Sequence, residues 1–434
     1  MTSSPRRIPV PLAGALAATV PGMVVRLSGA GMPALAKAGV YGVAIVGASL
    51  LLAWAAEVAQ LDISPAVAIG GLALVAVLPE YVVSNVFAWR GGHAVARFGP
   101  PCQSASAAAA HVTGHETSCT LALANMLGAN RLLIGIGWSL VVLLAWQRRR
   151  PGQSERGVIL GREHCVELAF LAVATLWCLS LPFRRSITVL DAAVLLIIFV
   201  GYGIRVIQAP AEEPELEGTA QWLGRRQPRQ RRTAAVGLLV VAIAAIFLCA
   251  DAFADALVAS GSVLGVDSFF LIQWLAPLAS EAPELVISAI YAWRLRASTG
   301  LGALVSSKVN QWTILVGSLP LTFALASGSI HGLPLGATER QELLLTAAQS
   351  VFGLAVLGNL EVTTAEATAL FTMFVGEFLG TTLAPSAERA GLRIGFAVAY
   401  LVVGGVILLV KRRDTVALVR DGFRTPYAEL GGPR

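Results

Sequence analysis

The sequence predicts an all-α polytopic membrane protein with two inverted five-helix repeats and flanking helices. Three observations lead to this fold class: the composition, a series of long apolar stretches, and a motif that recurs about half a chain later. Of the 434 residues, 56% are hydrophobic and only 13% are charged, which is about half the charged share of a soluble domain. No soluble core of this size hides so much apolar surface. The composition therefore excludes a soluble enzyme, a nucleic-acid-binding protein and a disordered chain.

The apolar stretches are the candidate transmembrane helices, because about 20 apolar residues cross a bilayer. They run continuously rather than alternating at every second residue, which excludes a porin-like barrel. The first is weak because prolines interrupt it. We predict about 11–12 transmembrane helices, at about 9–28, 38–60, 65–90, 117–146, 163–182, 187–207, 233–262, 267–294, 300–326, 340–359, 364–383 and 391–410.

These helices group into five regions of the chain. An N-terminal segment with the weak candidate helix comes first, and a polar, acidic and arginine-rich linker separates two repeat halves. An extra helix and a polar tail end the chain. The predicted regions are 1–37, 38–207, 208–232, 233–384 and 385–434.

The basic residues predict the orientation. Arginines cluster in 147–162 and 225–232, at 294–296 and, with a lysine, at 411–413. These clusters fall on one side if every predicted helix spans, and the positive-inside rule makes that side cytoplasmic. We therefore predict a plasma-membrane protein whose linker and C-terminus are cytoplasmic. Arg184 and Arg185, on a short outer loop, are the main exception.

The five cysteines form no CxxC pair, and most lie in apolar stretches. Cysteine in such surroundings usually behaves as a small buried hydrophobe. The pattern favours buried free thiols.

A motif in the third predicted helix returns in the eighth. Residues 77–90 read VLPEYVVSNVFAWR and residues 281–294 read EAPELVISAIYAWR, with seven of fourteen positions identical at a constant offset of 204. An odd number of predicted helices separates the starts of the two copies, so the copies cross the membrane in opposite directions. Inverted repeats are typical of secondary transporters, whose substrate site lies near the bilayer midplane where the repeats meet. The alternative is a duplication that has lost transport.

Each copy carries a carboxylate inside an apolar segment. Glu80 and Glu284 each follow a proline, and Ser84 and Ser288 lie four residues later on the same helix face. A carboxylate at membrane depth is costly unless it is paired, protonated or bound to a cation. Proline also frees a backbone carbonyl, and oxygen ligands of this kind suit hard cations. The pattern favours a cation site over two carboxylates satisfied by neighbouring hydroxyls.

These motifs resemble the two alpha-repeats of the sodium/calcium exchanger superfamily of cation antiporters. Residues 123–130, LANMLGAN, are similar to the stretch of that family that follows the first repeat motif, and residues 301–308, LGALVSSK, are a more eroded copy. The resemblance covers about 38–383. It implies ten helices in two inverted halves and exchange of calcium against sodium or protons, without nucleotide hydrolysis.

Several positions depart from the pattern of the family. Residues 75–80 read VAVLPE where the family has a threonine and a serine before the Pro-Glu pair, so the first half has lost oxygen ligands. In the second half, Ser280 and Glu281 occupy those two places. One helix later, Ser307 matches a site serine, whereas its first-half equivalent is Ala129. A polar ligand four residues on is represented by Gln311, and by a leucine in the first half.

Lys308 stands out because the chain has only three lysines and this one lies inside an apolar helix. Two interpretations carry equal weight. The ammonium is either a permanent partner of Glu281 or Glu284, or it titrates, since desolvation lowers the pKa of a lysine. The second interpretation makes Lys308 a candidate for coupling.

Our leading hypothesis is a secondary cation antiporter, not an enzyme, with Glu80 and Glu284 at its centre. Its partners are inorganic cations, Ca²⁺, Na⁺ or H⁺, and the lipid bilayer, with no nucleic acid. It needs no cofactor, because the gradient of the counter-ion drives it. The alternative is a transport-inactive scaffold or sensor that keeps the exchanger fold. The predicted cation-site residues are Glu80, Ser84, Ser280, Glu281, Glu284, Ser288, Ser307 and Gln311.

Overall fold

The structure is a computed structural model that describes residues 8–63, 77–102, 104–105, 108, 120–148, 157–209, 216–330 and 332–430. Nearly all of its regular structure is helical. The helices are α1 (Val10–Ser28), α2 (Ala34–Ala59), α3 (Leu78–Phe98), α4 (Leu121–Leu132), α5 (Ser139–Arg148), α6 (Cys165–Ser180), α7 (Val189–Val206), α8 (Gly218–Gly224), α9 (Pro228–Leu264), α10 (Ser268–Trp293), α11 (Ala297–Asn310), α12 (Val316–Ser327), α13 (Ala337–Val356), α14 (Thr364–Leu383), α15 (Ser386–Val410), α16 (Arg412–Arg424) and α17 (Tyr427–Leu430).

Short elements complete the secondary structure. Two π-helical segments continue α4 and α11 directly into the next helices. The π-helices are Leu133–Trp138 and Gln311–Leu315, the 3₁₀ turns are Arg162–His164, Leu181–Phe183 and Leu357–Asn359, and the strands are β1 (Gly157–Ile159), β2 (Ser186–Ile187), β3 (Leu333–Pro334) and β4 (Glu361–Thr363).

Within the described ranges, nine helical segments are long and apolar enough to cross a membrane. The weak N-terminal candidate is one of them, since Val10–Ser28 forms a continuous helix despite Pro21. Predominantly helical structure with so many apolar segments confirms the all-α polytopic membrane fold class. The two predicted repeat halves are a division of the sequence and stay a prediction.

The chain forms two compact units. The first comprises 1–86 and 211–283, and the second comprises 87–210 and 284–434. Their boundaries fall inside α3 and inside α10, so each of these helices contributes to both units.

Small residues let the long helices of the first unit approach closely. Helix α2 packs along α9 and α1. A Cβ atom added to Gly47 on α2 would lie 2.7 Å from both the Ala15 carbonyl oxygen and Thr19 Oγ1 on α1. The Thr19 hydroxyl donates to the Ala15 carbonyl at 2.8 Å. Lipid-facing helices gain much of their association energy from such close packing.

An ion pair joins the end of α2 to the start of α9. Asp62 accepts hydrogen bonds from Arg231 Nε and Nη2, both at 2.7 Å, and from Arg232 Nε at 2.8 Å. The bonds from Arg231, and then those from Arg232, lower the pKa of Asp62 to about 2. The carboxylate is therefore charged at every physiological pH.

We expect Asp62→Asn to lower the stability of the protein at neutral pH by about 0.5–1 kcal/mol, the range for a partly exposed ion pair. The pKa is lowered on folding, so its contribution is present above the unfolded value of about 3.9 and is lost as the pH falls towards about 2. Thermal unfolding in detergent at several pH values measures the difference. A gap between wild type and variant that is as large at pH 2 as at neutral pH would contradict the assignment.

In the second unit, two small antiparallel sheets join loops at opposite ends of the helices. Strand β1 pairs with β4, with Val158 opposite Val362, and β2 pairs with β3, with Ile187 opposite Leu333. The first sheet joins two loops that the sequence predicts on the cytoplasmic side. The second joins two loops that it predicts on the outer side. Each sheet therefore joins two loops that the arginine pattern assigns to the same side of the membrane.

The last helix of each predicted repeat half begins with the same capping box. At α7, the Thr188 hydroxyl and the Asp191 carboxylate cap each other's backbone, and Thr363 and Glu366 do the same at α14. Such reciprocal caps satisfy N–H groups that a helix start leaves unpaired. Asp191 also pairs with Arg184 Nη1 at 2.6 Å. This pair accounts for an arginine on the predicted outer loop, because the cation balances a buried carboxylate.

Cysteine labelling checks the orientation. We expect a cysteine at Gln221, exposed on α8, to resist impermeant reagents applied to intact cells, and a cysteine at exposed Ile330 to react. The reason is that the arginine-rich loops stay inside. Both variants should react in permeabilised cells. Labelling of Gln221→Cys from outside would contradict the predicted topology.

Three sequence-based interpretations need correction. The free thiols are confirmed for Cys165, Cys178 and Cys249, but the prediction is wrong for Cys102, which is disulfide-bonded. The linker is not wholly a loop, because it contains α8 and because α9 begins at Pro228, inside the arginine cluster. The polar C-terminal tail contains α16, whose apolar residues follow a helical period that the hydropathy of a spanning segment does not detect.

Candidate functional site

The two units divide the predicted cation-site residues. The first unit contains Glu80, Ser84, Ser280 and Glu281, and all four side chains are buried. The second unit holds the other five predicted residues, Glu284, Ser288, Ser307, Lys308 and Gln311. Residues 75 and 76 of the first motif lie outside the described residues.

Glu80 occupies the first turn of α3. The helix begins at Leu78, so Pro79 lies where a missing N–H costs no helical hydrogen bond. The positive end of the helix dipole favours a carboxylate at this position. Glu80 is only 1% exposed, and Ser84, one turn further on, is fully buried. The second copy differs, because Pro283 lies inside the continuous helix α10.

On α10, the Ser280 hydroxyl donates to the carbonyls of Ala276 and Pro277, at 3.3 and 3.2 Å. The two lone pairs of its oxygen stay available as ligands, since a hydroxyl carries one proton and two lone pairs. Glu281 has no exposed surface. The first unit therefore contains two buried carboxylates and two buried hydroxyls within the predicted motifs.

In the second unit, the Ser307 hydroxyl faces the Glu284 carboxyl. Neither Ser307 Oγ nor Glu284 Oε2 has a partner at hydrogen-bonding geometry in the part of the chain that the structure describes. Buried polar atoms are seldom left in this state in folded proteins. Ser288 and Gln311 are also buried. These oxygens have the chemistry that a hard cation requires.

Lys308 is completely buried and donates to Asn130. Its Nζ lies 2.6 Å from Asn130 Oδ1 and 3.1 Å from the Asn130 carbonyl oxygen. The ammonium also lies 4.6 Å from the ring centroid of Trp312. The Asn130 amide donates to the Met126 carbonyl at 2.8 Å, which fixes the direction of its oxygen. Two neutral oxygens and an aromatic face are therefore among the contacts of this cation.

Asn130 and Lys308 are equivalent positions in the two repeats. The sequence comparison that matches Ala129 with Ser307 also matches Asn130 with Lys308 and Leu133 with Gln311. The last pair begins the two π-helical segments, Leu133–Trp138 and Gln311–Leu315. π-Helical turns often mark functional sites, because the extra residue shifts the helical register. Both repeats therefore change register at the same place, directly after the residues that meet.

A buried charge network, which we call the Arg131 network, was not predicted. Arg131 lies beside Asn130 on α4 and is 1% exposed. Its Nη1 is 2.6 Å from Glu377 Oε1 on α14 and its Nη2 is 2.8 Å from Glu342 Oε2 on α13. Arg393 on α15 completes the set at 2.6 Å from Glu342 Oε1. Two positive and two negative charges balance.

The Arg131 network accounts for Glu377. A carboxylate inside an apolar predicted helix either lines a water path or pairs with a cation, and Glu377 pairs with Arg131. The Tyr400 hydroxyl also donates to Glu377 Oε2 at 3.3 Å. The signal that was available is the presence of four charged residues inside apolar helices, since such residues are rarely left unpaired in membranes.

No three His, Cys, Asp or Glu side chains within the described ranges converge to hold a metal ion. The predicted ligand set, which includes hydroxyl and amide oxygens, stays a prediction.

Comparison with known proteins places the chain in a family. The family model for sodium/calcium exchanger proteins matches residues 103–208 and 234–383. The crystal structure of the H⁺/Ca²⁺ exchanger CAX is similar, with 35% sequence identity, a TM-score of 0.82 and coverage of 95% of this chain and 97% of that one. The structure of native YfkE has 13% identity and a TM-score of 0.59 over 88% of this chain and 99% of that one, which supports the fold alone. No curated protein matches the sequence.

The matched family model covers more than half of the 434 residues, and the CAX structure matches nearly the whole chain. The resemblance inferred from the paired Pro-Glu motifs is therefore confirmed, as is the prediction of a transporter and not an enzyme. The chain is an integral membrane protein of the sodium/calcium exchanger family.

Proposed function

We propose that the protein exchanges Ca²⁺ for protons across the membrane, with Glu80 and Glu284 at the centre of the cation site. The observation that carries the proposal is the repeated carboxylate in the two inverted copies of one motif. A divalent cation needs at least two negative charges near it in a low-dielectric site. Family membership supports cation antiport, and the 35% identical CAX structure is titled an H⁺/Ca²⁺ exchanger.

The local surroundings of the two carboxylates support this assignment. Glu80 is buried in the first turn of a helix, and Glu284 is partly buried with one oxygen lacking a hydrogen bond. A carboxylate at membrane depth is costly unless it is paired, protonated or bound to a cation, so these groups are suited to bind a cation in one state and a proton in another. Ca²⁺ and protons therefore compete for the same carboxylates, and this competition couples the movement of one ion to the movement of the other.

Lys308 supports protons rather than sodium as the counter-ion. It places a fixed ammonium where the first repeat has the neutral Asn130, and the two residues hydrogen-bond. An ammonium within the second repeat occupies the place of a monovalent cation and repels others. We infer that the binding of Na⁺ is weakened here. The same ammonium favours the ionised form of nearby carboxylates, so it eases the release of their protons when Ca²⁺ binds.

A transport-inactive scaffold or sensor is the second candidate. The observation that favours it is the loss of polar side chains in the first half, where Ala129 and Leu133 are buried apolar residues. A sensor would bind a cation without moving it. The two candidates therefore differ in flux and not in binding.

Flux in proteoliposomes tests the proposal. The purified protein is reconstituted with a calcium indicator inside, and Ca²⁺ movement is followed after a pH gradient, a Na⁺ gradient or neither is imposed. We expect uptake that follows the pH gradient and is unaffected by Na⁺. Uptake driven by Na⁺ would identify the other counter-ion. Calcium binding by calorimetry without any flux would support the sensor.

A further inference from the structure

We propose that α16 is an interfacial helix that binds anionic lipid headgroups through the row Arg413, Arg420 and Arg424. This inference does not depend on the identity of the transported ions. It rests on the way in which the faces of α16 divide between the protein and its surroundings.

One face of α16 is fixed to the second unit. Leu418 and Gly422, four residues apart, are buried, and a side chain at Gly422 would collide with Cys165 and Ala169 of α6. Arg162 Nη2 pairs with Asp421 Oδ2 at 3.0 Å. These contacts set the rotation of the helix.

Hydrogen bonds and an ion pair also hold the C-terminal end of α16 and Lys411, the residue that precedes the helix. Arg205 donates to the Gly422 carbonyl at 3.2 Å and to the Thr425 carbonyl at 2.6 Å. Lys411, directly before the helix, pairs with Glu366 at 2.7 Å and donates to the Val356 carbonyl at 2.7 Å. The helix therefore lies across the ends of α6, α7 and α13 in a fixed position.

The opposite side of α16 carries two adjacent rows. Val416 and Phe423, seven residues apart, are 69% and 39% exposed. Beside them, Arg413, Arg420 and Arg424 are all exposed and share one face, at spacings of seven and four residues. An apolar row next to a basic row is typical of helices that lie in the membrane interface.

Continuity with the membrane identifies the occupant. α15 is an apolar span of 25 residues that ends at Val410, and α16 begins two residues later. The start of α16 therefore lies where lipid headgroups surround the end of α15. Val416 is placed to reach the acyl boundary together with the exposed part of Phe423, whose ring also packs against Phe170 of α6 with centroids 4.9 Å apart. The arginines can extend outward to headgroups. Near an anionic bilayer each such cation strengthens binding about fivefold, because it contributes about 1 kcal/mol.

The test measures which lipid lies next to α16. A fluorophore is attached to Val416→Cys in the full chain, in nanodiscs that contain nitroxide-labelled phosphatidylglycerol or phosphatidylcholine. Among the described residues, the free cysteines Cys165, Cys178 and Cys249 are buried, and the protein without V416C, treated with the same fluorophore, gives the background labelling. We expect the anionic lipid to quench the probe several-fold more strongly than the neutral lipid, and high salt to reduce the difference.

Two triple variants separate charge from structure. R413Q/R420Q/R424Q should reduce the ratio of anionic to neutral quenching at least fivefold or bring it to one, whereas R413K/R420K/R424K should keep most of it. Both variants keep Arg162, Arg205 and Asp421, which hold the helix in place; R420Q removes the contact of Arg420 with Asp421 at 3.4 Å, but the closer pair of Asp421 with Arg162 at 3.0 Å remains. Equal quenching by both lipids in wild type, quenching by neither, or an unchanged ratio in the glutamine variant would each overturn the proposal. The last result would indicate that groups other than these arginines attract the anionic lipid.

Discussion

Glu80→Gln and Glu284→Gln should each reduce Ca²⁺ flux at least about 100-fold while the protein remains inserted and folded. Each change removes one unit charge from the proposed site of a divalent cation. At 4 Å and an effective dielectric constant of about 20, one charge pair is worth about 4 kcal/mol, and a divalent ion doubles it. A 100-fold loss needs only about 2.7 kcal/mol.

The measurement is initial Ca²⁺ flux in proteoliposomes at matched protein content, with monodispersity in detergent as the check on folding. Glu388→Gln is the matched control, because it makes the same chemical change at an exposed residue at the start of α15. The control should transport like wild type. Full flux in either site variant would remove that glutamate from the proposed site without affecting membership of the family.

Lys308→Asn should raise the apparent affinity for the transported cation, on the order of tenfold or more, and shift the dependence of flux on pH or Na⁺. The variant removes a buried positive charge and places at this position the residue found at Asn130, its equivalent in the first repeat. Without the ammonium, repulsion of a bound cation disappears. If Lys308 also exchanges a proton during the cycle, the proton dependence changes as well.

Flux against pH and against Na⁺ is compared for wild type, Lys308→Asn and two further variants. Lys308→Met keeps the length of the side chain without its charge, so it separates electrostatics from packing. Lys37→Asn, at the start of α2, controls for the loss of a lysine elsewhere. If all four proteins give identical profiles at matched amounts, Lys308 is a structural partner of Asn130 and takes no part in coupling.

Most of the helices could be predicted from the sequence because long, continuous apolar stretches are the clearest signal in a chain of this composition. The sequence also predicts the repeat and the family, since seven identical positions at one offset carry the symmetry directly. The ends of elements are less certain: the charged start of α9 at Pro228 is helical because tertiary contacts such as Asp62 with Arg231 stabilise it. Hydropathy alone begins the segment after those arginines, at about residue 233.

The Arg131 network could not be predicted from the sequence, for a different reason. Arg131 and Glu377 are 246 positions apart, and no local sequence pattern in either helix predicts that the two residues pair. The sequence indicates that a buried charge needs a partner but not which of several it finds. The hydrogen bond from Lys308 to Asn130 was missed similarly, because the expected partners of an ammonium were carboxylates and not an amide. The π-helical segments have no local signature at all.

The hydrogen bond between Asn130 and Lys308 has a consequence for the direction of transport. If two inverted repeats were identical, a two-fold axis in the membrane plane would relate the outward-facing and inward-facing forms of the protein, and their free energies would be equal. Here one member of the central pair is charged and the other is neutral, so the two forms expose different chemistry to their respective aqueous sides. Their free energies are no longer tied together by symmetry. We therefore expect the resting protein to prefer one facing direction, and the pair Asn130 and Lys308 is one of several positions at which the two predicted repeats differ in polarity.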